Sequence, residues 1–280
     1  MNKLLSKIFF GMTLILGIMG ISNACIFAEI KYETEPNDTM ENAETITANN
    51  ETAAGAANAT YAGQSVISGD TSITDSDWYK VYLTAGTNYI TCNSCSFEYM
   101  VVDENGNTIL MDTHLNSSSG PMGYEFNIST DGYYYVRITG VTSSSKNYLF
   151  LIGSPTYLVG SCEISCSEGS ISMTSNGGNQ LGHFDGTMLS NIPEDAVAYS
   201  VRMSGIRSTY VKSILLENNQ NGTSFSLASY TWDKEGLISM NMPVASVWTA
   251  SFGYKKVGTF TPVLKVNYAY PVYNNSAVAE

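Results

Sequence analysis

The amino-acid sequence predicts an all-β protein of two antiparallel β-sandwich domains with a jelly-roll-like arrangement. Short runs rich in β-branched and aromatic residues recur along the chain, and Gly, Asn, Asp and Ser separate them. No long segment shows the 3.6-residue periodicity of an amphipathic helix, and strands at this spacing are typical of a sandwich or barrel. The 280 residues, 44% of them hydrophobic, suffice for two domains with cores of their own.

Alternation places individual strands. The run from Asp77 to Thr84 alternates in character, which predicts a strand with two different faces. One face carries Trp78, Lys80, Tyr82 and Thr84, and the other carries Tyr79, Val81 and Leu83. In the run GYYYVRI, the same alternation puts Tyr133 and Tyr135 on one face and Tyr134 on the other. We therefore expect this strand to present aromatic side chains outward on at least one side.

Turn and helix signals are sparse but specific. Asn105-Gly106 lies between two apolar runs and predicts a hairpin, because this pair accepts positive φ at low cost. The only helix that the sequence predicts is a short one in DTMENAETI, where Asp38 or Thr39 would cap it.

The domain boundary is predicted near Gly153, Ser154 and Pro155, which close the first block of strands. This division gives a first β-sandwich over residues 29–154 and a second over residues 155–280, whose ligand the sequence does not name. No convincing repeat of the first half appears in the second.

The first 28 residues have the pattern of a secretory signal peptide. Lys3 and Lys7 precede an uncharged apolar run of fourteen residues, which is short for a membrane span. Cleavage is expected after Ala24 or Ala28; an uncleaved anchor or a lipid on Cys25 are the alternatives. No later segment is long and apolar enough for a stable membrane span. We therefore expect a secreted, extracellular protein exported by a Gram-positive-like bacterium.

The charge balance restricts the possible partners. Twenty-five acidic residues face thirteen basic ones, a net charge of −12. Binding to nucleic acid requires clustered Lys and Arg to neutralise phosphates, so this class is excluded. An acidic chain is suited to calcium and to an extracellular location.

An acidic stretch, YETEPNDTM, crowds Glu33, Glu35 and Asp38 into six residues around Pro36 and Asn37. A solvated linker would tolerate this crowding, because water and salt screen the repulsion over about 10 Å. A bound cation would require it. A second acidic stretch downstream contains Asp70, Asp75 and Asp77.

Together these stretches resemble the bacterial pre-peptidase C-terminal domain family over residues 30 to 153. The residues that carry the resemblance are Glu33, Glu35, Pro36, Asn37, Asp38, Asp77, Trp78, Tyr79, Gly86, Asn105, Gly106, Gly132, Tyr133 and Tyr134. The family is a small β-sandwich of secreted bacterial proteins, often found behind a protease.

In its calcium-binding members, such as the collagen-binding domains of clostridial collagenases, two acidic segments enclose the ion. The resemblance thus implies calcium, with Glu33, Glu35, Asn37, Asp38, Asp75 and Asp77 as ligands. Such oxygen donors are those that calcium prefers. Which of Asp70, Asp75 and Asp77 completes the site stays open.

Four cysteines follow the predicted signal peptide, in the motifs CNSC and CEISC. An oxidising extracellular location favours disulfides over a four-thiolate zinc site. We expect the local pairs Cys92–Cys95 and Cys162–Cys166, since each pair lies within one predicted domain.

Catalytic motifs are missing from the sequence. It has two histidines, His114 and His183, and neither a G-x-S-x-G elbow nor an H-E-x-x-H helix. The sequence therefore predicts a non-catalytic binding protein for an extracellular protein or polysaccharide. The alternatives are an accessory or inhibitory partner of a secreted protease, and a hydrolase with its site around His183, Asp185 and Trp232.

Overall fold

The computed structural model describes residues 29–116, 120–227 and 237–273, and this part of the chain is nearly all β. The predicted all-β sandwich class is confirmed. Residues 1–28, with the predicted signal peptide, both predicted cleavage sites and Cys25, lie outside the described residues, and so does Trp232.

The chain divides into two compact units. The first contains described residues 29–158 with Val272 and Tyr273, and the second contains residues 159–271. The sequence prediction assigned everything after residue 154 to the second domain. In the structure, Val272 and Tyr273 belong to the first unit instead. The Val272 amide donates to the Thr156 carbonyl at 2.8 Å, and the Tyr273 ring stacks on Tyr89 with centroids 5.9 Å apart.

The first unit consists of two five-stranded sheets. Its strands are β1 (Glu29–Tyr32), β2 (Glu44–Ile46), β3 (Ser65–Thr71), β4 (Ser76–Leu83), β5 (Gly86–Ser94), β6 (Phe97–Val102), β7 (Thr108–His114), β8 (Met122–Ile128), β9 (Gly132–Gly140) and β10 (Lys146–Gly153). One sheet has the order β1-β3-β10-β5-β8, and the other has the order β2-β4-β9-β6-β7.

Two strand pairs depart from the predicted antiparallel pattern. β1 runs parallel to β3, and β2 runs parallel to β4. Parallel partners cannot be joined by a tight turn and need a long crossover. The first two strands meet this condition, because each is separated from its partner by an intervening strand and loops.

The core of the first unit lies between these two sheets, and alternation decides which side chains enter it. Tyr79, Val81 and Leu83 of β4, predicted to share one face, are almost fully buried, and the next strand in the sheet contributes Tyr134 and Val136. The opposite sheet supplies its own apolar residues to the same cluster, Ile67, Ile90, Phe126, Tyr148 and Phe150.

The predicted hairpin at Asn105-Gly106 is present. β6 and β7 pair antiparallel across a loop of residues 103–107, and Gly106 has φ +81°. The Asp103 carboxylate accepts from the amides of Asn105 at 2.9 Å and Asn107 at 2.8 Å, which holds the loop in this shape.

The helices differ from the prediction. Met40–Asn42 forms only a 3₁₀ turn, and Thr39 at its start makes no side-chain capping bond. The α-helix lies further on, at α1 (Ala53–Ala57), where Thr52 Oγ1 accepts from the Gly55 amide at 3.1 Å. Within the described residues, no helix has the length and apolar character to cross a membrane.

The second unit is also built from strands. They are β11 (Tyr157–Ser165), whose first two residues belong to the first unit, and β12 (Ile171–Met173), β13 (Gly178–Asp185), β14 (Val197–Ser204), β15 (Val211–Asn218), β16 (Thr223–Leu227), β17 (Val247–Tyr254), β18 (Gly258–Phe260) and β19 (Val263–Pro271). The sheets have the orders β13-β17-β15-β16, β11-β19-β14 and β12-β18. Trp248 and Phe252 of β17 are fully buried in a core of this unit's own.

Neither predicted disulfide is present: all four cysteines are free thiols, and no two lie at disulfide distance. Strand geometry explains why. Cys162 lies in β11 and Cys166 just after it, and four residues of extended chain span about 13 Å. A disulfide requires Cα atoms about 4.4–6.8 Å apart. Cys92 points into the core from β5, whereas Cys95 lies beyond the end of that strand.

Candidate metal centre

The central residue of the candidate centre is Asp77, whose carboxylate lies on the buried face of β4. Alternation along the strand gives Asp77 the same orientation as Tyr79, Val81 and Leu83, and Asp77 is fully buried. Neither carboxylate oxygen of Asp77 has a hydrogen-bond partner among the described residues. The strand pattern therefore carries a carboxylate into the interior, where the nearby Tyr148 hydroxyl opposes the rise of the Asp77 pKa only in part.

Glu33 reaches the same region from the end of β1. Its amide donates to the Ser68 carbonyl at 2.9 Å, which extends the pairing with β3 by one residue. One carboxylate oxygen accepts from the Asp70 amide at 2.8 Å, and the other accepts from the Tyr148 hydroxyl at 3.2 Å. The side chain of Glu33 is thus fixed by two strands, β3 and β10.

A glycine makes room for this arrangement. Gly69 of β3 lies opposite Tyr148 of β10. A Cβ on Gly69 would lie 2.0 Å from Glu33 Oε2 and 2.3 Å from the Tyr148 hydroxyl oxygen. The carboxylate and the phenol therefore occupy space that any side chain at position 69 would fill.

The loop after Glu33 brings Glu35 and Asn37 to the site. The Asn37 amide donates to Glu35 Oε2 at 3.0 Å, and the Trp78 amide donates to the Asn37 carbonyl at 2.8 Å. The second bond fixes the loop beside Asp77, the residue before Trp78. The Asn37 side chain is fully buried, and neither its oxygen nor its nitrogen has a partner among the described residues.

Three carboxylates converge at this point. One oxygen each of Glu33, Glu35 and Asp77 lie within 4.8 Å of one another, and no other such group of His, Cys, Asp or Glu occurs among the described residues. Hard oxygen donors from carboxylates, with an amide carbonyl available, suit Ca²⁺. The buried oxygens of Asp77 and Asn37 that lack partners fit such an ion, since buried polar groups are otherwise nearly always hydrogen-bonded.

The electrostatics of the cluster reflect its burial. Burial raises the pKa of Asp77 to about 8, and the neighbouring Glu33 carboxylate adds to the effect. Burial likewise raises the pKa of Glu33 to about 7, although the hydrogen bond from the Asp70 amide opposes the shift. Both shifts mean that the protein by itself stabilises the ionised carboxylates too little to offset their burial.

The other residues predicted as ligands lie outside this group of three. Asp38 is exposed and Asp75 is half-buried. Burial raises the pKa of Asp75, with further contributions from the charges of Asp38 and Asp70. Of the three aspartates among which the sequence could not choose, the structure brings Asp77 to Glu33 and Glu35.

Gly69 and Tyr148 belong to the site but were not found by sequence reasoning. The signal for Asp77 was present, because it is in phase with the apolar residues of its strand. Nothing comparable marks Tyr148, which reads as an ordinary aromatic residue of a buried strand.

Among the described residues of the second unit, His183 and Asp185 do not form a catalytic triad. His183 Nδ1 lies 2.5 Å from Glu168 Oε1, and Cys166 Sγ donates to Glu168 Oε2 at 3.0 Å. Burial raises the pKa of Glu168, but hydrogen bonds from His183 and Cys166 outweigh it and lower the pKa to about 2. Asp185 does not join this pair: its carboxylate accepts from the amide and hydroxyl of Thr187 at 3.0 and 2.5 Å.

Comparisons with known proteins bear on the fold. No protein-family model matches the chain, and no curated protein matches it. Among solved structures, a "putative secreted protein" from Eubacterium rectale is 12% identical, covers 92% of this chain and 89% of its own, and has a TM-score of 0.52. The pre-peptidase C-terminal domain of a collagenase from Bacillus anthracis is 15% identical and covers 43% of this chain and 99% of its own, with a TM-score of 0.29. At these identities, what the chain shares with the Eubacterium rectale protein is its all-β fold.

Proposed function

We propose that this chain is a secreted, non-catalytic binding protein whose first unit is stabilised by a calcium ion. Glu33, Glu35 and Asp77 would hold the ion, with the Asn37 side-chain oxygen as a further ligand. The observation that carries this proposal is the buried Asp77 carboxylate, which has no hydrogen-bond partner and lies within 4.8 Å of two further carboxylates.

A divalent cation would remove the main electrostatic cost of the site. A buried carboxylate without a partner is expensive, and a second and third carboxylate at short range add repulsion. Calcium accepts six to eight oxygens in flexible geometry, which suits ligands from the segment after β1 and from β4. Magnesium requires a tighter octahedron and retains its water, so it should substitute poorly.

The extracellular role rests on separate support. The pattern of Lys3, Lys7 and a fourteen-residue apolar run is that of an exported chain. The Eubacterium rectale protein, whose fold this chain shares, is also described as a secreted protein. The resemblance to the pre-peptidase C-terminal family points the same way, and the binding role follows from the missing catalytic motifs.

Thermal unfolding in calcium and in chelator tests the metal site. Calcium should raise the unfolding temperature, and an equal concentration of magnesium should do much less. Glu35→Gln should greatly reduce the calcium effect, because it removes one charged ligand from an exposed position where little packing is lost.

Glu41→Gln is the matched control, since it removes an exposed carboxylate six residues away. It should leave the calcium effect intact. Equal unfolding temperatures in calcium and in chelator, or an equal loss in both variants, would contradict the site.

A further inference from the structure

The outer face of the sheet β2-β4-β9-β6-β7 carries a cluster of aromatic and basic side chains. Across β4 and β9, Trp78 is opposite Arg137, Lys80 is opposite Tyr135, and Tyr82 is opposite Tyr133. All six point away from the core, in the phase opposite to Tyr79, Val81 and Val136. We call these six residues the aromatic–basic face.

The basic groups of this face lie over its rings. Lys80 Nζ is 4.4 Å from the centroid of the Tyr133 ring and 5.6 Å from that of Tyr135. Arg137 Cζ is 5.9 Å from the Trp78 ring. Cation–π contacts of this kind keep the two cations close to the aromatic surface.

The face is open to solvent. Tyr82 is 50% exposed and Tyr133 is 48% exposed, and their rings meet edge to face with centroids 5.4 Å apart. Tyrosine combines a broad apolar ring with a polar hydroxyl, so two half-exposed tyrosines side by side form an aromatic surface that a ligand can contact.

The charge of this face differs from that of its surroundings. Residues 29–158 include sixteen acidic residues and only four basic ones, Lys31, Lys80, Arg137 and Lys146. Two of these four lie together on the aromatic–basic face. Neither Lys80 nor Arg137 forms a salt bridge with another described residue, whereas Lys31 pairs with Glu44 at 3.2 Å. Glu98 of β6, diagonal to Arg137, bounds the cluster on one side.

We propose that the aromatic–basic face binds an acidic polysaccharide, one whose sugars carry carboxylates. This inference rests on the binding role proposed above and names its site and ligand class. The rings of Tyr82 and Tyr133 would pack against the apolar faces of the sugars. Lys80 and Arg137 would receive the carboxylates, Arg137 through its two-pronged guanidinium group and Lys80 as a point charge.

The geometry favours a chain with charge repeated along it. Lys80 and Arg137 lie on neighbouring strands, two residues apart in register, so their Cα atoms are separated by about 7–8 Å. Two cations on neighbouring strands, with aromatic rings beside them, suit a ligand that carries more than one carboxylate. The sugar rings between those carboxylates would supply flat apolar faces for the tyrosines.

Affinity electrophoresis and calorimetry with two soluble probes, hyaluronan and oligogalacturonate, test the proposal. At least one should bind, and binding should weaken as salt rises, because charge pairs at an open surface are screened. A neutral glucan, hydroxyethyl cellulose, should bind much more weakly. Poly-glutamate, which has carboxylates but no sugar rings, should also bind more weakly.

Variants locate the site. Lys80→Gln with Arg137→Gln should weaken binding about tenfold or more, as expected for loss of charge-assisted contacts. Tyr82→Ala with Tyr133→Ala should also weaken binding, whereas the corresponding Phe variants should retain most of it. Lys146→Gln, which removes a basic group from the other sheet, is the control and should leave affinity unchanged.

The outcomes separate this inference from the proposed function. Every variant should retain its calcium-induced rise in unfolding temperature, which shows that it is folded. Absence of binding to both probes, or binding that the face variants leave unchanged, would overturn the inference while leaving the calcium-stabilised module intact. Poly-glutamate binding as tight as that of the glycans would assign the face to an acidic protein instead.

Discussion

At the scale of single residues, the site depends on a glycine that the sequence does not mark. Glu33 and Tyr148 are 115 residues apart and meet only because β3 pairs with β10. Gly69 leaves the space in which they meet. The resemblance supplied Glu33, Glu35 and Asn37, because those residues form a local motif. The partners Gly69 and Tyr148 could not be predicted, since they depend on the register of distant strands.

Gly69→Ala should therefore damage the site without removing any ligand. The new methyl group would lie 2.0 Å from Glu33 Oε2, so the carboxylate must move. We expect a loss of about 1–3 kcal/mol of stability from overpacking, and a much smaller calcium effect. Gly132→Ala is the control, because a Cβ there meets nothing within 4 Å. Thermal unfolding with and without calcium measures the stability loss and the calcium effect. An unchanged calcium effect in Gly69→Ala would show that the space at Gly69 is not needed for the site.

At the scale of secondary-structure elements, patterns local to one strand were predictable and pairings between strands were not. Alternation correctly predicted the two faces of β4, and Asn105-Gly106 correctly predicted the β6–β7 hairpin. The parallel pairs of β1 and β2 were missed, because partner choice is set by contacts far along the chain. The disulfide prediction was wrong because lying within one domain does not bring two cysteines together: extended chain separates Cys162 from Cys166.

A further element-scale feature is Glu51, which precedes α1 and holds the segment after β10. Its carboxylate accepts from Gln64 Nε2 at 3.0 Å and from the Tyr157 amide at 3.4 Å, and also from the Thr156 hydroxyl. Burial raises the pKa of Glu51 above its ordinary 4.5, and these hydrogen bonds offset the shift only in part. Relative to the unfolded chain, folding therefore shifts Glu51 towards its protonated form.

The stabilisation from protonated Glu51 is present in full below pH 4.5 and is lost as the pH rises through the elevated pKa. Glu51→Gln keeps an acceptor oxygen and removes the buried charge. We expect the variant to raise the unfolding temperature at pH 7 and to have much less effect at pH 4. Unfolding followed across this pH range checks the sign; an effect larger at pH 4 than at pH 7 would refute it.

At the scale of the whole molecule, the two units differ in what they need to remain folded. The second has a core of its own around Trp248 and Phe252. The first also has an apolar core, but it places the carboxylates of Glu33, Glu35 and Asp77 close together. Calcium should therefore act on one unit and leave the other unaffected, which makes the two separable in a single experiment.

Calcium at a hundredfold excess over its Kd should stabilise the first unit by about 2.7 kcal/mol, which raises its unfolding temperature by several degrees. Trp78→Phe makes tryptophan fluorescence selective for the second unit, because Trp78 is the only tryptophan in the sequence of residues 29–158. In that variant, tryptophan fluorescence reports the second unit alone and its transition should not move with calcium. Calorimetry of the same variant should still show one transition that rises with calcium and returns with chelator. If the fluorescence transition moved by the same amount as the calorimetric one, the two units would unfold together and the calcium effect could not be assigned to the first.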